Sequence, residues 1–484
     1  MKQYQLFING EFIDNGNREM IQVINPATEE VISEVPKATE EDVKNAVDAA
    51  FEAQKSWAKV PPIQRAAYLQ ELADLVKANL SLFADATVAE VGKTQSLSEG
   101  EASWLPQYIE YFAGMARHML GEIIPSDRQN ENILLYKMPI GVVAGIMPWN
   151  FPLFLIGRKV APALIAGDTV VLKPSSDTPN GCYEFAKLVA KSSLPKGVIN
   201  VITGRGSVVG NALASNPKVG LISMTGSVEA GSQIMATAAK NITKVSLELG
   251  GKAPVIVMDD CDLDKTVEWV FASRMVNGGQ ACNCAERVYV QEGIAPKFIE
   301  KIIARFKATK YGNPAKDPNK EFDMGTMINK QQVEHIDEMV KACVAEGGKI
   351  ECGGKPTTFD GKGFYYEPTV ITNCTHSMRI FHDEIFGPVL PITTFKTLDE
   401  AIEYANDCEY GLTSSIYTTN TDTMMKALNQ IKFGETYVNR EHFEAFQGFH
   451  QGVRKSGIGG DDGERCLNEF LETHVCYVDY DLDK

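Results

Sequence analysis

The sequence lacks the features that would direct this protein to a membrane or to nucleic acid. Glycine, proline or charge interrupts every apolar run well short of the ~20 residues that cross a bilayer, and the first residues show no signal-peptide pattern. Basic residues number 47 against 63 acidic ones, which gives a formal charge of -16. Because nucleic acid and anionic lipid both require a basic surface, neither is an expected partner.

Cysteine and histidine are also sparse. The ten cysteines are scattered over 484 residues, which favours free thiols in a reducing compartment over a disulfide framework, and we therefore expect a cytoplasmic protein. The seven histidines and the C-x-C pair of Cys282 and Cys284 lack the paired ligand spacing of a zinc site, so no metal is predicted. A chain of this length predicts two large domains.

The pattern along the chain is typical of an α/β fold. From residue 140, short β-branched runs alternate with stretches long enough for helices: GVVAGIM, TVVLKP, VINVIT, VGLISM and PVIVMDD. Runs that are apolar on both sides fit a parallel sheet covered by helices. A second α/β pattern begins after about residue 260 with RVYV, GPVLPITTF and SSIYTT. Residues 38 to 57 predict an amphipathic helix with Thr39 as N-cap.

Two strand-like segments fall outside these patterns. Residues 122 to 140 are predicted to form a hairpin, and the tail THVCYVDY is also strand-like. The two segments either join into an arm for oligomerisation or remain an ordinary surface hairpin.

Three segments have the composition of a nucleotide-binding site. Gly204, Gly206 and Gly210 stand where a dinucleotide fold has its glycine turn, although their spacing differs from G-x-G-x-x-G, and a plain strand-to-helix turn is the alternative. Gly226 and Ser227 are placed to offer donors to a pyrophosphate at a helix N-terminus. Lys173, just past a buried strand, is either a ligand of a ribose or phosphate or a solvated surface lysine.

Two further segments indicate chemistry on a carbonyl group. Two prolines in MPWNFP stiffen the backbone around Asn150, whose amide is a candidate oxyanion donor or, alternatively, a helix cap. In SLELGGKAP, Glu248 follows an apolar stretch, where burial raises a carboxyl pKa toward the range of a general base. A buried ion pair is the competing interpretation of Glu248.

The cysteine pair in NGGQACNCAERV raises the question of which sulfur is reactive. A nucleophilic thiolate needs space for substrate beside it, and we expect the glycines before Cys282 to provide that space. Cys282, which lies closer to Gly278 and Gly279, is therefore the better candidate. Cys284 is predicted to be a buried small residue or a redox partner.

Together these motifs resemble the NAD(P)-dependent aldehyde dehydrogenase superfamily, from INPATEE near residue 24 to KSGIGG at residues 455 to 460. The resemblance places the nucleophile at Cys282, the general base at Glu248 and the oxyanion donor at Asn150. It implies an aldehyde dehydrogenase-like α/β fold with a Rossmann-type cofactor domain, 1–121 and 141–255, a catalytic domain, 256–455, and a β-strand oligomerisation arm, 122–140 and 460–484. It also implies a homo-oligomer, a dimer or a tetramer.

The family mechanism begins when the cysteine thiolate attacks the aldehyde. Asn150 and the backbone N–H of Cys282 then hold the oxyanion, hydride passes to the nicotinamide, and Glu248 activates the water that hydrolyses the thioester. The resemblance implies NAD or NADP as the cofactor. It assigns cofactor binding to Met147, Pro148, Trp149, Lys173, Ser176, Gly206, Gly210, Gly226, Ser227, Leu249, Glu384 and Phe386.

Ser176 departs from the family pattern. Three residues after the lysine, family members often have a glutamate that binds the ribose, and a carboxylate there repels a 2′-phosphate. Because the serine hydroxyl carries no charge, both NAD and NADP remain open.

Four residues bear on the substrate. Arg158 stands where many family members have an aromatic residue, and an arginine there suits a polar or anionic aldehyde, as in succinate-semialdehyde dehydrogenases. Asn283, Glu444 and His450 resemble the lactaldehyde and glycolaldehyde dehydrogenases, in which such residues can hydrogen-bond a 2-hydroxyl group. Since Glu444 would repel a distal carboxylate, a short 2-hydroxyaldehyde is the predicted substrate. The alternatives are succinate semialdehyde and a catalytically silent structural or binding protein.

Overall fold

The computed structural model describes residues 2–482, so residue 1 of the predicted cofactor domain and residues 483–484 of the predicted arm lie outside the described residues. In that range the helices α1 to α14 are, in chain order, Glu40–Trp57, Pro62–Lys77, Leu80–Glu90, Gln95–Ala113, Pro152–Ala166, Asn180–Val189, Asn211–Ala214, Val228–Ala238, Leu263–Met275, Ala295–Lys307, Lys330–Ala345, Leu398–Asn406, Thr421–Gln430 and Gly463–Glu469. None of these helices has the length and hydropathy that crossing a bilayer requires.

The strands β1 to β23 of the same described range form five sheets. They are, in chain order, Lys2–Gln3, Phe7–Ile8, Glu11–Phe12, Met20–Ile24, Val31–Pro36, Glu122–Pro125, Glu131–Pro139, Val142–Ile146, Thr169–Lys173, Ile199–Val201, Val219–Thr225, Lys244–Glu248, Ala253–Val257, Ala285–Gln291, Lys349–Cys352, Pro356–Phe359, Lys362–Tyr366, Thr369–Thr372, Val389–Phe395, Thr413–Tyr417, Glu435–Val438, Gly457–Ile458 and Leu471–Asp479.

The first large sheet has the order β22-β12-β11-β8-β9-β10-β2-β3. Its middle strands β12, β11, β8, β9 and β10 run parallel, as their apolar sequences predicted. Strand β8 pairs Ile146 with Lys173 of β9, and β11 pairs Thr225 with Glu248 of β12. The carboxyl ends of these strands therefore lie along one edge, which is where open α/β sheets bind ligands.

The second large sheet has the order β15-β18-β19-β14-β13-β20-β21. Strand β13 pairs in parallel with β14 and β20 of this sheet. The chain therefore passes from the first sheet to the second between Glu248 and Ala253, and the boundary predicted between residues 255 and 256 falls inside a strand. The run PVIVMDD looked like a continuation of the first pattern because buried parallel strands of different sheets share one composition.

The two outlying segments join into one small sheet, and the role of this sheet in oligomerisation stays a prediction. Strand β6 pairs with β7 as a hairpin, and β23 pairs with β7 along its whole length from Leu471 to Asp479. Helix α14, Gly463–Glu469, lies within the predicted arm range of 460–484 and contacts both α5 and β23.

Helix α1 begins as its sequence predicted. The Thr39 side chain accepts a hydrogen bond from the Asp42 backbone N–H, and the Asp42 carboxylate accepts one from the Thr39 backbone N–H. This reciprocal capping satisfies backbone donors at the helix start that would otherwise lack partners.

Candidate active site

A large cavity lies at the carboxyl edge of the first sheet, where it meets the second. Its volume is about 840 Å³, and both Cys282 and Glu248 face it. Asn150, which follows β8, lies on the same surface. The structure therefore brings together the three residues predicted to be catalytic, although they lie far apart in the sequence.

The loop before Cys282 adopts a backbone that favours glycine. Asn277, Gly278 and Gly279 all have positive φ angles, of 49°, 64° and 79°. A side chain on Gly279 would collide with the carbonyl oxygen of Gly387, and one on Gly278 would meet Met327. These glycines therefore allow two loops to pack closely, and the prediction that they make room for substrate is wrong.

Gln280 fixes the same loop in place and orients Asn150. Its side-chain amide donates to the carbonyl oxygens of Asn277 and Thr326, at 2.9 and 3.0 Å, and its side-chain oxygen accepts from the Ile328 N–H at 2.9 Å. The Gln280 carbonyl accepts a 3.0 Å hydrogen bond from Asn150 Nδ2. Since an amide NH₂ group has two hydrogens, the second one remains available to an oxyanion.

Glu101 of helix α4 anchors the segment that carries Asn150, and no sequence pattern indicated this role. Its Oε1 accepts hydrogen bonds from the N–H groups of Leu153 and Phe154, at 2.9 and 3.1 Å, in the first turn of α5. The other carboxylate oxygen pairs with Lys93, which is buried with it. A carboxylate at a helix N-terminus is electrostatically favourable, so this pair holds the start of α5 rigidly.

Glu248 ends strand β12 with a buried side chain. Neither of its carboxylate oxygens has a hydrogen-bond partner among the described residues. Burial raises the pKa of Glu248 to about 8, and nearby Asp461 acts in the same direction, while His450, Arg158 and Lys159 oppose it. His450 Nε2 lies 3.7 Å from Glu248 Oε2 and both side chains are buried, so the competing interpretation of a buried ion pair stays open.

Cys284 lies away from the cavity, in contrast to Cys282. Its side chain is fully buried, and its sulfur lies 3.8 Å from the carbonyl oxygen of Arg274 and 3.9 Å from that of Val276. Burial raises the pKa of the Cys284 thiol to about 12. A thiol in this position is a packing residue, which is one of the two predictions made for it.

Part of the predicted cofactor set lines one end of the cavity. Trp149 and Phe386 meet there edge to face, with ring centroids 5.5 Å apart. Glu384 accepts a 2.8 Å hydrogen bond from the Gly251 N–H. The predicted cofactor residues on the cavity surface are Pro148, Trp149, Gly226, Ser227, Leu249, Glu384 and Phe386.

The remaining predicted cofactor residues lie outside this surface. Met147 is buried, its N–H donating to the Lys173 carbonyl at 3.0 Å, and Ser176 donates to the Gly204 carbonyl at 3.2 Å. Gly206 and Gly210 bound a helical turn after β10, and Gly210 packs toward Ile234. For these residues, as for those on the cavity surface, contact with a cofactor stays a prediction.

Lys173 is not the solvated surface lysine that was its alternative interpretation. It is 6% exposed, and its ammonium donates to the Pro174 carbonyl at 3.2 Å. Burial lowers the pKa of Lys173 to about 8. A buried ammonium without a carboxylate within ion-pair distance, among residues 2–482, is costly unless a ligand completes it.

Glu286 supports the segment that carries Glu384 and Phe386, and sequence reasoning missed it. Its carboxylate accepts from the N–H groups of Ile385 and Phe386, at 3.1 and 3.2 Å. Lys252 and Arg274 each bond to the same carboxylate at 2.7 Å, and together they lower the pKa of Glu286 to about 2. The signal in the sequence was a glutamate at the start of the buried strand β14, where a charge needs partners.

A connected group of polar side chains also reaches the cavity. Asn283 Nδ2 donates to Glu444 Oε2 at 2.7 Å, and Arg158 Nη2 donates to Glu444 Oε1 at 3.0 Å. Arg158 also binds Asp462 with two hydrogen bonds, at 3.0 and 2.5 Å. We call these four residues the polar cluster. Three of them, Arg158, Asn283 and Glu444, line the cavity.

The polar cluster changes the interpretation of Arg158. Two carboxylates already neutralise its guanidinium, so it offers no free positive charge to an anionic aldehyde. Asp462, which the sequence reasoning did not single out, is therefore the partner that decides the role of Arg158. The acidic pair in GGDDGE was the available signal.

His450 is not on the cavity surface, where the sequence placed it as a substrate ligand. Its side chain is 1% exposed, and its Nδ1 lies 2.6 Å from Glu435 Oε1. The ring lies close to Glu248, with His450 Nε2 3.7 Å from Glu248 Oε2.

Comparison with known proteins identifies this arrangement. A family model described as the aldehyde dehydrogenase family matches residues 12–476. Lactaldehyde dehydrogenase of Escherichia coli (strain K12) is 52% identical over 476 residues, which cover 98% of each chain. The chain belongs to the aldehyde dehydrogenase family.

Solved structures agree with this assignment. A crystal structure of lactaldehyde dehydrogenase from Escherichia coli matches this aldehyde dehydrogenase with a TM-score of 0.97 at 51% identity, covering 99% of both chains. Betaine aldehyde dehydrogenase from Staphylococcus aureus, in complex with NAD+, matches with a TM-score of 0.95 at 35% identity, covering 98% of this chain and 95% of that one. The predicted fold class is confirmed.

The cofactor of this aldehyde dehydrogenase is NAD or NADP, as predicted. D-glyceraldehyde dehydrogenase (NADP(+)) of Picrophilus torridus is 38% identical over 479 residues, covering 98% of this chain and 96% of its own. The residues present fit such a group: Lys173 supplies a buried ammonium that has no ion pair within residues 2–482, and Ser227 caps the N-terminus of helix α8 at the cavity. A buried cation and a helix N-terminus both favour phosphate or ribose oxygens.

Proposed function

We propose that this aldehyde dehydrogenase oxidises a short 2-hydroxyaldehyde, lactaldehyde or glycolaldehyde, to the corresponding carboxylic acid. The observation that carries the proposal is the polar cluster, which lies beside the candidate nucleophile and has its cation already neutralised. The 52% identity to a lactaldehyde dehydrogenase supports the same substrate class.

In the proposed mechanism, the thiolate of Cys282 attacks the aldehyde carbon and a C–S bond forms. The second N–H of the Asn150 amide, with the backbone N–H of Cys282, donates to the oxygen that becomes negative. When bound, NAD or NADP supplies the hydride acceptor. We assign the ribose of that cofactor to Glu384, and its phosphates to Gly226, Ser227 and the neighbourhood of Lys173.

Glu248 acts in the hydrolysis of the resulting thioester. Its carboxylate takes a proton from a water molecule as the water oxygen attacks the thioester carbon, and the C–S bond breaks to return the Cys282 thiolate. A carboxylate with both oxygens unpartnered is free to accept that proton. Its raised pKa, about 8, makes it a stronger base than an exposed glutamate.

The polar cluster favours a hydroxyl group over a distal carboxylate. Asn283 and Glu444 present an amide and a carboxylate to the cavity, and both can hydrogen-bond a 2-hydroxyl. A substrate carboxylate would meet the Glu444 charge and find Arg158 occupied by Asp462. Succinate semialdehyde, the alternative substrate, is therefore disfavoured by electrostatics.

The substrate assignment is tested by turnover. We expect kcat/KM for lactaldehyde or glycolaldehyde to exceed that for succinate semialdehyde by about 100-fold, because a buried like charge costs a few kcal/mol. Glu444→Gln should lower kcat/KM for the hydroxyaldehydes by about tenfold or more. A neutral amide in place of the carboxylate weakens the hydrogen bond to the 2-hydroxyl group of the substrate.

The matched control for this test is Glu464→Gln, which removes an exposed carboxylate from the nearby helix α14. It should leave the order of kcat/KM for the three substrates unchanged. Faster oxidation of succinate semialdehyde than of both hydroxyaldehydes would refute the substrate assignment, and no turnover with any aldehyde would support the silent protein.

The choice between NAD and NADP is proposed to depend on Ser176. Ser176→Glu should weaken NADP binding by about tenfold and change NAD binding by less than about twofold, because a new carboxylate repels only the 2′-phosphate. Fluorescence titration with each cofactor at low salt measures both constants, since salt screens the effect.

A control for Ser176→Glu is Ser175→Glu, which places the same charge one residue earlier. It should not discriminate between the two cofactors. Equal loss of NADP affinity in both variants, or unchanged affinity in Ser176→Glu, would remove residue 176 from the cofactor site.

The remaining assignments concern the cellular compartment of the enzyme and its oligomerisation. We propose a cytoplasmic enzyme, which the ten free cysteines support, since no two of them form a disulfide in the described residues. We also propose that the β6-β7-β23 sheet, together with the segment before it, joins subunits of a homodimer or homotetramer. Large apolar side chains are exposed there, which supports an interface: Leu120, Ile123, Tyr136, Met138, Val475 and Tyr477.

The two sheets support a division into a cofactor domain and a catalytic domain. With the boundaries corrected, we propose that residues 253–438 form the catalytic domain and that strand β22 and helix α14 return to the cofactor domain. The cavity between the two sheets then belongs to both domains.

A further inference from the structure

Asp462 is a buried carboxylate that meets the cavity through its partner. Its side chain is 0% exposed and does not line the cavity. Arg158, which does line the cavity, donates from Nε to Asp462 Oδ1 at 3.0 Å and from Nη2 to Asp462 Oδ2 at 2.5 Å. This contact fixes the plane of the guanidinium, because each nitrogen meets a different carboxylate oxygen.

The Arg158 guanidinium is held by two further side chains. Its Nη2 also donates to Glu444 Oε1 at 3.0 Å, and its central carbon lies 4.6 Å from the centroid of the Phe154 ring. The other Glu444 oxygen accepts from Asn283 Nδ2 at 2.7 Å. Asp462 therefore begins a chain of contacts that ends at the two side chains proposed to bind the 2-hydroxyl group.

The backbone of Asp462 adopts a conformation that favours glycine. Its φ and ψ angles are 69° and 157°. This region of the φ/ψ map is nearly restricted to glycine, and another residue persists there only when the surrounding structure determines its conformation. Glycine could not supply the two carboxylate contacts to Arg158, so these contacts account for an aspartate at this position.

The charges of the polar cluster do not cancel. Arg158 carries a positive charge, whereas Asp462 and Glu444 each carry a negative charge, so the polar cluster has a net negative charge. The neighbouring Asp461 does not change this balance, because it pairs with Lys159 at 3.1 Å. Without the Asp462 carboxylate, the polar cluster would be neutral, and Glu444 would be the carboxylate left in contact with the guanidinium.

We propose that Asp462 determines the charge selectivity of this aldehyde dehydrogenase, because its carboxylate keeps Arg158 from binding a substrate carboxylate. The inference rests on the proposed function, a site selective for short 2-hydroxyaldehydes. An anionic aldehyde must compete with Asp462 for the guanidinium, and it also approaches the net negative charge of the polar cluster. Asp462 is a positioning residue, since it acts through Arg158 from outside the cavity surface.

Replacement of Asp462 by asparagine tests this role, because asparagine has nearly the same shape but no charge. The kcat/KM for succinate semialdehyde should rise by about tenfold or more, since Arg158 then has one carboxylate partner fewer. The increase should come from a lower KM with little change in kcat, because a distal carboxylate is bound alike in the ground state and the transition state. The kcat/KM for lactaldehyde should not rise, because its 2-hydroxyl group carries no charge.

The neutral amide of succinate semialdehyde separates the effect of charge from that of size. It has the same chain length but no carboxylate, so its kcat/KM should change by less than about twofold in Asp462→Asn. Asp462→Gly is a second variant that removes the carboxylate, and glycine suits the φ angle of 69°. It should also raise kcat/KM for succinate semialdehyde, and it decides the question if Asp462→Asn does not fold.

The matched control is Asp461→Asn. It removes the same charge one residue earlier, from a pair with Lys159, which does not line the cavity. The ratio of kcat/KM for succinate semialdehyde to that for lactaldehyde should change by less than about threefold, because Arg158 keeps both carboxylates.

A double-mutant cycle with Arg158→Gln shows whether Asp462 acts through the arginine. In the Arg158→Gln background, Asp462→Asn should leave the ratio of kcat/KM for succinate semialdehyde to that for lactaldehyde unchanged. The reason is that the partner of Asp462 is then missing, so the two substitutions are not additive.

The other outcomes count against the proposal. If the parent enzyme prefers hydroxyaldehydes and both Asp462 variants keep its substrate ratio, the role of Asp462 is overturned and the proposed function stands. An equal change of the ratio in Asp461→Asn, or a change that persists in the Arg158→Gln background, also overturns this role. Loss of turnover with every aldehyde in both Asp462 variants would mark the residue as structural. Faster oxidation of succinate semialdehyde by the parent enzyme overturns the proposed function, and this inference with it.

Discussion

Replacement of Cys282 by serine is expected to lower aldehyde oxidation by at least about 10³-fold while cofactor binding is retained, because a hydroxyl is far less ionised than a thiol. The serine side chain keeps the size of the residue, so the loop held by Gln280 should not move. Steady-state formation of NADH or NADPH measures the loss, and fluorescence titration measures cofactor binding.

Cys284→Ser is the internal control for that experiment. The Cys284 thiol is buried beside the carbonyl oxygens of Arg274 and Val276, which a serine hydroxyl can also bond. Activity should stay within about threefold of the parent enzyme, since no step of the reaction uses this sulfur. An inactive Cys284→Ser beside an active Cys282→Ser would transfer the nucleophile to residue 284.

Replacement of Glu248 by glutamine is expected to have the second largest effect on turnover. It should slow only the hydrolysis of the thioester. Steady-state turnover should fall by about 10²–10⁴-fold, the usual contribution of a general base. The acyl group should then remain on Cys282, where mass spectrometry of the intact protein detects it. A rapid first phase should release about one reduced cofactor per active site, because hydrolysis follows oxidation.

The pH dependence of hydrolysis provides an independent measurement. Burial raises the pKa of Glu248 to about 8, so the basic carboxylate form is scarce below that pH and increases above it. The hydrolysis rate in a single turnover should therefore rise through about pH 8 in the parent enzyme and stay flat in Glu248→Gln. Full turnover by Glu248→Gln, or no adduct on Cys282, would show that another group activates the water.

The sequence predicted the features that depend on residues close together in the chain. Asn150 lies between two prolines, and Glu248 and Cys282 each stand next to glycines, so each residue was visible within its own segment. The β-branched runs became parallel strands, and parallel strands bring their carboxyl ends to one edge. That residues following these strands lie near one another could therefore be predicted from the sheet, without knowledge of side-chain contacts.

The features that could not be predicted are charge pairs between distant segments. Arg158 and Asp462 are 304 residues apart, and no local pattern indicates that the arginine is already neutralised. Glu435 and His450 are 15 residues apart, but Glu435 lies on β21 of the second sheet and His450 in the loop that leads to β22 of the first sheet, so they meet only in the folded chain. The same holds for Glu101 and Glu286, whose partners are backbone N–H groups of other segments.

The glycines before Cys282 show how a correct identification can rest on a wrong reason. The sequence analysis predicted that they provide space for substrate, because a small residue beside a nucleophile leaves a gap. In the folded chain that gap is filled by Gly387 and Met327, and the glycines are needed for their positive φ angles.

The return of the chain end to the first sheet has a consequence for synthesis. Strand β22 becomes the edge of that sheet only after residue 457 has emerged, and β23 reaches back to β7, which was made more than three hundred residues earlier. His450, Asp461 and Asp462 arrive in the same late stretch. A nascent chain that stops just short of residue 450 therefore contains Cys282 but lacks His450, Asp462 and the edge strand β22.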